Sequence, residues 1–332
     1  MSGAPRPQGG VGAVLGSRLR ARELSAAPDA LNLLESTTAP DREQAAALLR
    51  EVSPAALGGE AQGHIVGVTG PPGAGKSTLL STLLRSWRGN AHGAGGQGRT
   101  VAMLAVDPSS RRSGGSLLGD RARVDFDPSD PGVFIRSTSA GEQLGGLAAA
   151  TRAAAQALAA AYDVVVIETV GVGQAETDVA DVADTVVVVV QPGSGDVLQF
   201  LKSGIMEIPD VLVVTKADLG QVAVRTRRDL TAALRSLGSR STKVIAVSSL
   251  SPPQGVDELV ATLDEHRDGL DLAARRLHAR RASALADYVR EHGERGLNAL
   301  GGRRAAEAAL AEQDPGADVP SLVLALERLA AQ

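Results

Sequence analysis

The run Gly70-Pro71-Pro72-Gly73-Ala74-Gly75-Lys76-Ser77 sets glycines, one lysine and one hydroxyl at the spacing of a phosphate-binding loop. Glycines let backbone N–H groups converge on phosphate oxygens at the positive end of a helix. Lys76 would reach the β- and γ-phosphates as a point charge, the Ser77 hydroxyl would become a ligand of Mg2+, and Thr78 follows beside the phosphates. Three acids are candidates to steer the cation. Asp107 and Glu168 close apolar runs, and strand-end carboxylates of this kind gather at such sites. Asp120 lies in a loop beside Arg121 and Arg123, where a solvated ion pair is an equal reading.

Two further elements complete the chemistry. Glu168-Thr169-Val170-Gly171 reads as a nucleotide-sensing loop, in which the Gly171 N–H meets the γ-phosphate and is released on hydrolysis; a plain turn glycine is the alternative. Lys76, Glu168 and Gly171 therefore form the expected catalytic set, and Gln174 or a backbone group would orient the attacking water. Base choice falls to Thr215-Lys216-Ala217-Asp218. The Asp218 carboxylate can accept from guanine's ring N–H and its amino group, whereas adenine would leave it unpaired at about 1–3 kcal/mol. Lys216 would lie along the base with its stem, and Ser248-Ser249 would offer a backbone N–H to guanine's carbonyl oxygen.

These residues need a scaffold that brings strand ends together. Short apolar runs at 65–69, 101–106, 133–136, 163–167, 185–190, 211–214 and 243–247 read as strands. Helical spacing at 77–87, 143–161, 198–205, 222–237 and 256–267 falls between them. The alternation predicts an α/β fold, a doubly wound, mostly parallel sheet with its ligand at the carboxyl ends of the strands. Residues 1–21 are Gly, Pro and Arg-rich and read as a flexible segment, 22–58 as a helical segment, 59–269 as the nucleotide-binding domain and 270–332 as a helical appendage.

Composition narrows the partners. Aromatics are only 2% of the 332 residues and the net charge is −4, which argues against single-stranded nucleic acid and against any phosphate backbone as substrate. The absence of cysteine removes disulfides, thiolate metal sites and redox couples. No apolar stretch approaches a membrane span and no secretory core is visible, so a cytoplasmic protein without membrane contact is expected.

Taken with the segments between them, these elements resemble the MeaB/ArgK-type GTPases that accompany cobalamin-dependent acyl-CoA mutases. The likeness covers about residues 25–270. It is carried by Val106-Asp107-Pro108-Ser109-Ser110 with Ser113-Gly114-Gly115-Ser116-Leu117-Leu118-Gly119-Asp120, by Glu168-Thr169-Val170-Gly171-Val172-Gly173-Gln174, and by Gln191-Pro192-Gly193-Ser194-Gly195-Asp196-Val197-Leu198-Gln199. The resemblance implies that Asp107, Asp120 and Glu168 serve Mg2+, that GTP and GDP are the nucleotides, and that the segment 191–199 relays their state. It further implies a client mutase, gated cobalamin loading, protection of that mutase, and a homodimer built by carboxyl-terminal helices. Thr215 departs from the family's usual asparagine, removing an amide that would contact the base and brace the phosphate loop. Rival functions are a metal-insertion GTPase of hydrogenase or urease maturation, disfavoured by the lack of cysteine and of a histidine cluster, and a small-molecule kinase, which leaves Asp218 without a role. A GTP-dependent binding module with a purely conformational output is a third.

Overall fold

The structure, a computed structural model, describes residues 10–89, 98–107, 124–139, 147–169, 175–193, 209–236, 238–239 and 241–331. Two compact units divide the chain. One comprises 64–148 and 163–270, the other 1–63, 149–162 and 271–332.

The first unit is built on a seven-stranded sheet. Its strands are β1 (His64–Thr69), β2 (Val101–Asp107), β3 (Val133–Ser139), β4 (Val164–Thr169), β5 (Thr185–Val190), β6 (Val211–Val214) and β7 (Lys243–Ala246), in the order β3-β2-β4-β1-β5-β6-β7. Every pairing is parallel. Runs such as Val186 to Val190, buried throughout, suit strands covered on both faces. Alternation sorts the side chains: Val66, Val68, Val187, Val189 and Ile245 join the helices at Lys76–Gly89 and Val256–Asp268 in one core cluster, while Val188, Val190, Leu212, Val214 and Val244 join the helix at Gln221–Ser236 in another. The doubly wound architecture expected from the strand and helix spacing is present, and strand order reverses around β1, where such sheets take their ligands.

At the amino-terminal edge of this sheet four polar groups from distant sequence positions form a chain. His64 Nε2 lies 2.8 Å from Thr185 Oγ1, which lies 2.8 Å from His266 Nδ1, while His266 Nε2 is 3.3 Å from Asp210 Oδ1. The Thr185 hydroxyl is shared between the two imidazoles, and the tautomers of the rings set which atom donates at each contact. Thr185→Val removes the shared hydroxyl and is expected to lower the unfolding free energy by about 1–3 kcal/mol. Urea denaturation checks this, and an unchanged midpoint would remove the network from the stability account.

The second unit is helical: α1 (Val11–Arg20), α2 (Ala27–Glu35), α3 (Ala39–Glu51) and α4 (Pro54–Leu57), then α6 (Ala149–Ala159), then α10 (Leu272–Ala299), α11 (Arg303–Ala311) and α12 (Val319–Ala330). Between these in the chain come α5 (Lys76–Gly89), α7 (Ala175–Ala180), α8 (Gln221–Ser236) and α9 (Val256–Asp268) of the sheet unit. Helix α1 corrects the expectation of a flexible segment over residues 11–20, while residues 1–9 lie outside the described residues. Its glycines mark a tight helix crossing: a Cβ on Gly12 would lie 1.8 Å from the Gln44 carbonyl oxygen, and one on Gly16 would lie 2.6 Å from that of Leu48. Leu15 and Leu19 are buried on the same helix. At the carboxyl-terminal side, buried Arg276 donates to the Ala61 and Gly63 carbonyls, and Arg280 grips Glu60 with two bonds of 2.9 Å.

Candidate nucleotide-binding site

The phosphate loop connects β1 to α5. Gly70 has φ +142, and a Cβ there would meet the Val189 carbonyl oxygen at 2.2 Å, so only glycine lets the loop leave β1 this close to β5. Gly73 and Gly75 follow at φ +78 and +90, with Pro71 and Pro72 at the loop's first turn. The first bond of the following helix runs from the Leu79 N–H to Gly75 O at 2.9 Å, which leaves the amides of Lys76, Ser77 and Thr78 at the helix's positive end. The Lys76 ammonium is buried under the loop, donating to Gly70 O at 2.6 Å and to Pro71 O at 3.2 Å.

One acid of the expected metal set stands beside this loop. The Ser77 hydroxyl donates to Glu168 Oε1 at 3.3 Å. Glu168, expected to end its strand, is the penultimate residue of β4, opposite Val68 of β1 and Ala105 of β2. Only 8% of it is exposed, and its carboxylate stands off the sheet face with the Ser77 hydroxyl in reach. A hydroxyl and a carboxylate are the hard oxygen donors that Mg2+ takes. Asp107 is the last residue of β2, paired with Ser139 of β3. Asp120, Gly171, Gln174, the segment 194–199 and the expected helix at 198–205 lie outside the described residues.

The element expected to read the base follows β6. Thr215 is 4% exposed, and its hydroxyl donates to Ala74 O at 2.6 Å and approaches Val190 O at 3.2 Å. The phosphate loop is thus braced from the base-reading strand by a hydroxyl, the part of an asparagine's work that threonine retains. Lys216 adopts φ +52, and its ammonium donates to Gln191 Oε1 at 2.7 Å and Gly73 O at 3.4 Å. The side chain therefore runs from β6 across the end of β5 to the phosphate loop. Asp218, in the 3-10 turn Ala217–Leu219, is exposed.

Ser248 contributes differently from the expectation. Its backbone N–H donates to Gln254 O at 3.0 Å and so is not free for guanine, whereas its hydroxyl donates to Asp218 Oδ1 at 2.8 Å and aims the carboxylate. The backbone role narrows to Ser249. Neither the Ser248 hydroxyl contact nor the Gln191 contact carries a sequence signal, because each depends on which loops meet at the sheet's edge.

A phosphate loop, a buried lysine, a serine and carboxylate pair, and an aspartate held after β6 on a parallel sheet define a P-loop GTPase. The chain belongs to the MeaB family: the model of methylmalonyl Co-A mutase-associated GTPase MeaB matches residues 27–299. A Pyrococcus abyssi protein named as a GTPase is 44% identical over 249 residues, covering 73% of this chain and 72% of its own. A Mycobacterium tuberculosis protein named as a GTPase is 39% identical over 283 residues, covering 83% and 80%. The mouse protein named methylmalonic aciduria type A homolog, mitochondrial, is 38% identical over 270 residues, covering 76% of this chain and 62% of its own. Among solved structures, that of a LAO/AO transport system kinase covers 99% of this chain and 100% of its own with a TM-score of 0.62 at 25% identity. Binding of GTP and GDP and hydrolysis of GTP follow from the family.

Proposed function

We propose that this GTPase is the chaperone of a cobalamin-dependent acyl-CoA mutase, with methylmalonyl-CoA mutase as the first candidate, gating cofactor loading and protecting the loaded enzyme. The family match across residues 27–299 is the observation that carries this reading. The nucleotide would lie with its phosphates on the amides from Gly70 to Thr78, its γ-phosphate near Lys76 and Gly171, and its base between Lys216, Asp218 and Ser249. Ser77 and Glu168, with Asp107 and Asp120, would hold Mg2+, which when bound neutralises charge developing on the phosphate oxygens. The oxygen donors Ser77 and Glu168 support that assignment. The helices after Leu270 are the proposed dimer arm, and the proposed compartment is the cytoplasm; among the described residues no helix is long and apolar enough to cross a membrane.

Glu168→Gln keeps the shape of the side chain and removes its charge. Turnover of GTP is expected to fall about 10²-fold or more, with GDP affinity changed far less, in a phosphate-release assay run over a magnesium titration. Parental turnover at every magnesium concentration would take Glu168 out of the site. The client is tested by retaining proteins from the native host on the immobilised chain with a non-hydrolysable GTP analogue, with GDP, and without nucleotide. An acyl-CoA mutase held in a nucleotide-dependent way is the expected result, and recovery of a nickel enzyme's maturation machinery instead would overturn the proposal.

A further inference from the structure

The edge of the sheet at β7 carries a cavity of about 630 Å³. Lys243, Val244 and Ile245 all line it. Successive strand residues point to opposite faces, so a cavity touching three in a row runs along the strand's edge and not over one face. The walls agree with this. Leu234 and Arg235 come from α8, which packs on one face of the sheet, and Glu258 comes from α9, which packs on the other. Among the described residues strand β7 pairs with β6 alone, so its outer side turns main-chain N–H and C=O groups toward this slot.

The slot is also charged. Among the described residues, Arg227, Arg235 and Lys243 line it against one acid, Glu258. Lys243 pairs with Glu265, and Arg227 stands 4.0 Å from Glu258; both are exposed pairs, which cost little to exchange for another carboxylate. Leu234, Val244 and Ile245 are buried and give the slot an apolar floor.

We propose that this slot receives an extended, acidic peptide segment of a partner protein, which adds an eighth strand beside β7. Main-chain hydrogen bonds to β7 supply the grip, acidic side chains on one face of the peptide reach Arg227 and Arg235 of α8, and apolar side chains on its other face lie on the side of Ile245. The same features make the edge selective. A strand of four residues that opens with a lysine and lies between two helices discourages pairing between copies of this basic edge, yet admits one chain of opposite charge.

The test uses the full chain saturated with GDP and Mg2+, so that no anion reports on the phosphate loop. A fluorescein-labelled hexapeptide of alternating aspartate and valine is titrated by anisotropy. Saturable binding is expected, weakened about tenfold or more by Arg235→Glu and by N-methylation of the peptide's backbone. A lysine and valine peptide should not bind. Parental GDP affinity and an unchanged circular dichroism spectrum show that the Arg235→Glu chain is folded. Absence of saturable binding at millimolar peptide, unchanged affinity in Arg235→Glu, or equal binding of the N-methylated peptide overturns the proposal. Displacement of the peptide by an equal concentration of citrate does so too, since it would make the slot an anion pocket.

Discussion

Lys76→Ala is expected to weaken GTP binding by about 2–5 kcal/mol, roughly 30-fold to several-thousand-fold, because the triphosphate keeps its charge and loses the buried ammonium proposed to meet it. The lysine also ties the loop to itself through the Gly70 and Pro71 carbonyls. Affinity for a triphosphate should therefore fall more than affinity for guanosine, which never reaches the ammonium. Calorimetric titrations with GTP, GDP and guanosine separate the two effects, and a parental GTP affinity would refute the loop assignment.

Asp218→Asn should act at the other end of the nucleotide. Guanine's ring N–H and amino group are both donors, and an amide in place of the carboxylate can accept from only one of them. Preference for GTP over ATP is expected to fall by about 1–3 kcal/mol, roughly 5- to 150-fold. Xanthine carries a carbonyl where guanine carries the amino group, so the amide introduced by this substitution should gain affinity for xanthosine triphosphate that the parent lacks. Competition assays with the three triphosphates measure this. Unchanged ranking would show that Asp218, although aimed by the Ser248 hydroxyl, does not read the base.

The sheet and the loop were legible because their signals are local. Five buried valines running to Val190 have no other soluble use than a covered strand, and the phosphate loop joins such a strand to a helix. Boundaries slipped where neighbours decide them: β4 continues through Glu168 and Thr169 because β1 and β2 both extend alongside. Helix α1 was missed because glycine reads as freedom in a sequence, whereas Gly12 and Gly16 are here the price of a close crossing against Gln44 and Leu48. Long-range polar contacts were out of reach for a different reason. His64, Thr185, Asp210 and His266 acquire meaning only once the sheet brings them together, as do Gln191 with Lys216 and Ser248 with Asp218.

One hydrogen bond reaches beyond binding. Thr215 Oγ1 ties the residue that begins the base-reading element to Ala74, in the middle of the phosphate loop. A displacement of either loop loads the same bond, so the two loops are coupled mechanically through it. A factor that promotes nucleotide exchange by pushing on either loop would then be felt at the other.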